Sequence, residues 1–136
     1  MTKQRKELTG RRILIVDPDR THARLHGAVC DVLGGANEIA YRVKIDDDTL
    51  KVISERRIDT VVFGSPTDEA DYIEHGGKEL DRLLDEGILR RVVVVSMKAD
   101  MPDSWDIPEF RNKRANKADV IYFKRNEELV KAIAAR

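Results

Sequence analysis

Cysteine is almost missing from these 136 residues, and its single copy, Cys30, cannot close an internal disulfide. Beside Val29 in a helically spaced stretch, it is expected to serve as a small buried hydrophobe. Aromatic residues are scarce, at 5% of the chain, and no basic stripe interleaves with them, which argues against nucleic-acid recognition. Neither sign of charge is in excess, because 25 Lys and Arg balance 25 Asp and Glu. No global field therefore draws the protein to nucleic acid or to an anionic membrane. No apolar run reaches the ~20 residues of a membrane span and no N-terminal stretch has signal-peptide character, so a cytoplasmic location is expected. Also lacking are a glycine-rich phosphate loop, a metal-ligand cluster and a Ser/His/Asp ordering. The chain is accordingly expected to be no enzyme and to carry no cofactor and no metal.

What is present is an alternation of strand and helix signals in a chain long enough for one core. Residues 1–10 are polar and aperiodic and are expected to form a flexible arm, with 11–136 as the single domain. Ile13 to Val16 is a continuous β-branched run, as in a strand buried on both faces. From Arg20 to Leu33 the apolar positions Leu25, Ala28, Val29, Val32 and Leu33 recur at helical spacing, with Asp19 or Thr21 to cap the start and Gly34-Gly35 to stop it. Ile39, Tyr41 and Val43 alternate with Ala40 and Arg42, giving a half-exposed strand near the sheet edge. Thr60 to Phe63 and Val92 to Val95 read as central parallel strands, Val120 to Phe123 as a fifth. Helices are expected after Asp46, over Lys78–Glu86 and after Asn126.

Asp46-Asp47-Asp48 invites a metal reading, but it lacks the glycine and glutamate positions of a calcium loop and is read as a helix cap. Five βα units with short loops imply a flavodoxin-like, doubly wound α/β fold. Its five-stranded parallel sheet has the order 2-1-3-4-5 and helices on both faces. The working crevice of such a sheet lies beyond the carboxyl ends of the strands. The residues there are Asp17, Gly64, Ser96 and Lys124.

Those positions, in Ile15-Val16-Asp17-Pro18-Asp19, Val61-Val62-Phe63-Gly64-Ser65, Val94-Val95-Ser96 and Tyr122-Phe123-Lys124-Arg125, resemble the receiver domain of two-component response regulators. The resemblance covers about residues 11–135. It implies that Asp17 stands for the first acid of a magnesium pair, with Pro18 in place of the second and Asp19 one position too far along. It implies equally that Gly64, followed by Ser65, replaces the phosphoacceptor aspartate. Ser96 and Lys124 match the retained hydroxyl and lysine of the family, while Arg125 replaces its proline. Gly76-Gly77-Lys78-Glu79-Leu80 resembles the start of the family's third helix. Extra residues from Thr67 to His75 lengthen the loop before it, and a second enlargement, Asp100 to Asn116, holds Pro102, Trp105, Pro108 and Phe110.

A degenerate pocket of Asp17, Pro18, Asp19, Gly64, Ser65, Ser96 and Lys124 is thus expected, with no nucleophile for phosphoryl transfer. Lys124 either pairs with Asp17 or binds an anion. Asp68, Glu69 and Asp71 read as a solvated acidic loop. The function implied is that of a pseudo-receiver, a signal-transduction domain acting through phosphorylation-independent contact with a protein partner or a second copy. The family's usual interaction face would place Trp105, Phe110, Tyr122 and Arg125 as candidate contacts; Trp105 and Phe110 pack the irregular segment in the other reading. An alternative, a cobalamin or other small-ligand module of the same topology, is raised by His22. The surrounding Asp19-Arg20-Thr21-His22 departs from that family's spacing, which makes His22 a helix-surface residue.

Overall fold

The computed structural model describes residues 6–64, 69–96, 114–115, 118–122 and 126–134. Its strands are β1 (Arg12–Val16), β2 (Glu38–Arg42), β3 (Thr60–Gly64), β4 (Arg91–Ser96), β5 (Arg114–Ala115) and β6 (Ala118–Tyr122). Its helices are α1 (Arg20–Ala28), α2 (Asp47–Glu55), α3 (Glu69–Tyr72), α4 (Lys78–Asp85) and α5 (Asn126–Ala134). Wider π-type turns extend α1 over Val29–Leu33 and join α3 to α4 over Ile73–Gly77. The sheet runs β2-β1-β3-β4-β6-β5, and every pair is parallel except β5 with β6. The first four strands take the expected order 2-1-3-4. Beyond β6 the sheet ends on a two-residue antiparallel strand that the sequence did not signal.

Alternation along the central strands builds two cores. Leu14 and Val16 of β1, Val61 and Phe63 of β3, and Val92 and Val94 of β4 face Ile53 of α2 and Leu80 and Leu83 of α4. Ile13, Ile15, Val62, Val93 and Val95 point the other way, against Ala23, Val29 and Cys30 and against Leu129, Val130 and Ile133 of α5. A strand buried on both faces has no polar side to show, so the runs Ile13–Val16 and Val92–Val95 are uninterrupted. On β2, at the sheet edge, the buried residue is Ala40, while Tyr41 is 48% exposed and Val43, just past the strand, 53%.

Three expectations need correction. The arm expected of residues 1–10 is docked from Lys6 onward: Leu8 is fully buried and its amide donates to the Gly34 carbonyl at 2.8 Å. The inward face of the first helix is Ala23, His26, Gly27, Val29 and Cys30, and Leu25, Val32 and Leu33 are exposed. The π-type turn shifts the helical phase by about one residue, so Val32 and Leu33 leave the inward face, and Leu8 joins this core. The lengthened stretch before α4 is helical rather than a solvated loop from Glu69 onward, because Tyr72 is fully buried, its ring edge-on to Phe63 at 5.1 Å. The chain kinks at Gly76, φ +117°, before α4 begins. Among the described residues no helix is long and apolar enough to cross a membrane.

Candidate functional site

Parallel pairing of Val16 with Phe63 sets the next residues, Asp17 and Gly64, side by side at the carboxyl ends of β1 and β3. Their approach is so close that a Cβ on residue 64 would overlap Asp17 Oδ2 and stand 2.6 Å from its Cγ. Nonbonded carbons sit at ~3.5–4.0 Å, so no side chain fits at 64 while Asp17 keeps this position. The volume that a side chain at 64 would enter already holds the Asp17 carboxylate.

Asp17 is 2% exposed and anchored from several directions. Its amide donates to the Arg42 carbonyl at 3.0 Å, and its Oδ1 accepts the Asp19 amide at 2.8 Å. The second contact is an Asx-type turn, in which a short carboxylate folds back on the backbone two residues on. Pro18, at the middle of that turn, is exposed and has no N–H to offer. Asp19 is turned to a different task. Its Oδ1 accepts the amides of Thr21 at 2.9 Å and His22 at 3.1 Å, so it caps α1. The amide of His22 holds the Asp19 carboxyl below its ordinary pKa. A carboxylate engaged in this way satisfies the free N–H groups of a helix start.

The element that sequence reasoning missed is His26. Its ring is fully enclosed beneath Asp17, with Nε2 3.8 Å from Oδ2, beyond direct hydrogen-bond reach. Burial drives its pKa down to about 4, with the charge of His22 as a smaller cause. The nearby carboxylate would by itself raise that value, but enclosure of the ring on all sides dominates, and the imidazole is neutral near pH 7. A signal was available: Ala23, His26 and Cys30 recur at three and four residues, the spacing of one helix face. His22, by contrast, is part-exposed on α1 with Nδ1 3.8 Å from Asp19 Oδ2, on the helix surface as expected.

At the far side of the crevice, Ser96 ends β4 in register with Tyr122, which ends β6. Gly64 pairs with Val95, so the backbone of Ser96 lies one residue beyond it. Ser65, Trp105, Phe110, Lys124 and Arg125 lie outside the described residues, as does Asp68. Of the acidic residues expected in a solvated loop, Asp71 binds His75, whose Nδ1 is 2.8 Å from both the Asp71 carbonyl and its Oδ1. That carbonyl contact is the main reason the His75 pKa is raised. Asp71, Glu74 and His75 place donor atoms within 4.8 Å of one another, but on an open surface.

Charge gathers elsewhere near the crevice. A cavity of about 540 Å³ opens between α1 and β2, lined by Asp17, Arg20, Ala23, Arg24, Tyr41, Arg42 and Val43. Arg42 is held in place by its Nε bond to Thr49 Oγ1 at 3.2 Å and by Asp46 at 3.8 Å.

No protein-family profile matches the chain, and no curated protein matches it. Among solved structures it is similar to the crystal structure of a two-component transcriptional regulator AraC from Clostridium phytofermentans ISDg. The TM-score is 0.52 at 16% identity, over 91% of this chain and 92% of that one. At that identity what the two chains share is the fold, a parallel α/β sheet with helices on both faces.

Proposed function

We propose that this chain is a receiver-like signalling module that has given up phosphoryl acceptance and acts through protein contact. The observation that supports this reading is the Asp17 carboxylate filling the space beside Gly64. Phosphoryl transfer needs an in-line nucleophile, a cation to neutralise the moving oxygens and tight positioning of both. Here residue 64 has no side chain, Pro18 supplies no side-chain oxygen and Asp19 is committed to capping α1. Asp17 is tied into its own turn. The module is therefore not an enzyme, and its output is recognition of a partner surface in a state that phosphate does not change. Trp105, Phe110, Tyr122 and Arg125 remain the contacts proposed for that surface.

The test is to incubate the protein with acetyl phosphate and magnesium and to measure its intact mass. An unchanged mass is expected, and any partner should bind equally before and after treatment. Gain of a phosphoryl group on an aspartate would overturn the proposal.

A further inference from the structure

The cavity between α1 and β2 is lined by more base than acid. Over the whole sequence basic and acidic residues cancel, 25 against 25. Around this one cavity three arginines, Arg20, Arg24 and Arg42, face a single acid, Asp17. That acid is 2% exposed and its Oδ1 already accepts the Asp19 amide. Arg42 is braced by Thr49 and Asp46, whereas Arg20 and Arg24 have no ion-pair partner among the described residues. They lie one helical turn apart on α1, on the same side of it. Guanidinium groups grouped in this way match phosphate oxygens, to which each can donate two parallel hydrogen bonds.

The wall opposite is aromatic. Tyr41 lies against α1 at Gly27, where a Cβ would stand 2.6 Å from the ring Cζ and 2.7 Å from Cε1. Glycine inside a helix is ~1 kcal/mol less favourable than alanine. Here it leaves room for the hydroxyl end of the ring against the helix. The ring thereby stays 48% exposed beside Arg24, with Ala23 and Val43 completing an apolar lining. A volume of about 540 Å³ falls within the ~300–1,000 Å³ usual for small-molecule sites. Phosphate-binding cations next to an exposed flat ring suit a ligand that carries both a phosphate and a planar base.

We infer that the α1/β2 cavity is a binding site for a nucleoside monophosphate, its phosphate held by Arg20, Arg24 and Arg42 and its base stacked on Tyr41. The cavity shares Asp17 with the crevice, and binding there requires no phosphoryl transfer. It would let a metabolite signal reach a module that phosphate chemistry no longer serves.

The experiment is titration of the full ¹⁵N-labelled chain with AMP, followed through its amide resonances. Saturable shifts are expected at Arg20, Ala23, Arg24, Tyr41, Arg42 and Val43, with adenosine and inorganic phosphate each binding at least about tenfold more weakly, since each loses one half of the recognition. Arg24 is exposed on α1, so Arg24→Gln should fold normally and weaken AMP by about tenfold, the effect of one lost charge-assisted hydrogen bond. Gly27→Ala should displace the Tyr41 ring and weaken AMP while leaving inorganic phosphate unchanged. The inference is overturned by shifts that do not saturate or lie elsewhere, by adenosine binding as well as AMP, or by undiminished binding to Arg24→Gln. Saturation by a glutamate-rich peptide but not by AMP would overturn it in favour of an acidic partner. Failure here leaves the mass measurement with acetyl phosphate untouched, so the two readings fail separately.

Discussion

At the amino ends of the strands, hydrogen bonds tie buried polar groups from distant parts of the chain together, whereas at the carboxyl ends a buried carboxylate and a buried imidazole stand 3.8 Å apart. Below the sheet, the Arg11 guanidinium donates to Thr60 Oγ1 at 2.9 Å and to the Ile133 carbonyl at 3.2 Å, and pairs with Asp59 at 3.7 Å. Asp59 also accepts from Thr60 Oγ1 and from the Arg12 amide. Arg91 donates to the Ala132 carbonyl, so Arg11, just before β1, and Arg91, at the start of β4, meet the last carbonyls of α5. Cations at a helix C-terminus satisfy free carbonyls and complement the dipole. Above the sheet, Asp17 and His26 are both fully enclosed at 3.8 Å, and Gly64 leaves its space to the carboxylate. One end is a clamp. The other is a strand-end crevice in which the Asp17 carboxylate fills the space beside Gly64.

The largest effect is expected from breaking the clamp. Arg11→Ala leaves Asp59, Thr60 and the end of α5 short of a partner and should destabilise the fold by ~3 kcal/mol. Chemical denaturation measures it, and a loss under 1 kcal/mol would show that the two ends are energetically alike.

Next comes acid. Burial lowers the His26 pKa to about 4 from its ordinary 6.5, so between those values the unfolded chain takes up a proton that the folded protein refuses. Stability should therefore fall as pH drops from 6.5 towards 4, by on the order of 2–3 kcal/mol, and level off for this group below that. Asp19, whose folded pKa is lowered, adds its loss only as pH falls below the unfolded 3.8. His26→Gln should flatten the upper window and leave the lower one in place. Thermal melts across pH separate the two.

The smallest expected change sharpens the closed end. Gly64→Asp forces a side chain into the Asp17 carboxylate and should destabilise by ~2 kcal/mol, in line with overpacking elsewhere. Acetyl phosphate should still add no mass. With Asp17→Ala in the background the same substitution should be better tolerated, a coupling that a double-mutant cycle reads directly. Simple additivity would count against the overlap.

Much of the fold was legible because its signals are local. Ile13–Val16 and Val92–Val95 can only be strands with two covered faces, and Asp19 and Asp46 announce helix starts. What could not be read depends on contacts far apart in sequence. The phase of α1 changes at Val29–Leu33, which leaves Val32 and Leu33 outside, while Leu8, far away in sequence, is buried. Thr67 to His75 carries acids that suggest solvent, yet one tyrosine packed on Phe63 turns part of the stretch into core. For the site, the sequence named Asp17 and Gly64. That one occupies the other's volume, with His26 enclosed behind, is a matter of distance.

A side chain introduced at 64 presses on the Asp17 carboxylate, and moving that carboxylate breaks its hydrogen bond to the Asp19 amide in the turn that leads into α1. Residue 64 on one strand is thereby linked to the start of a helix that follows another.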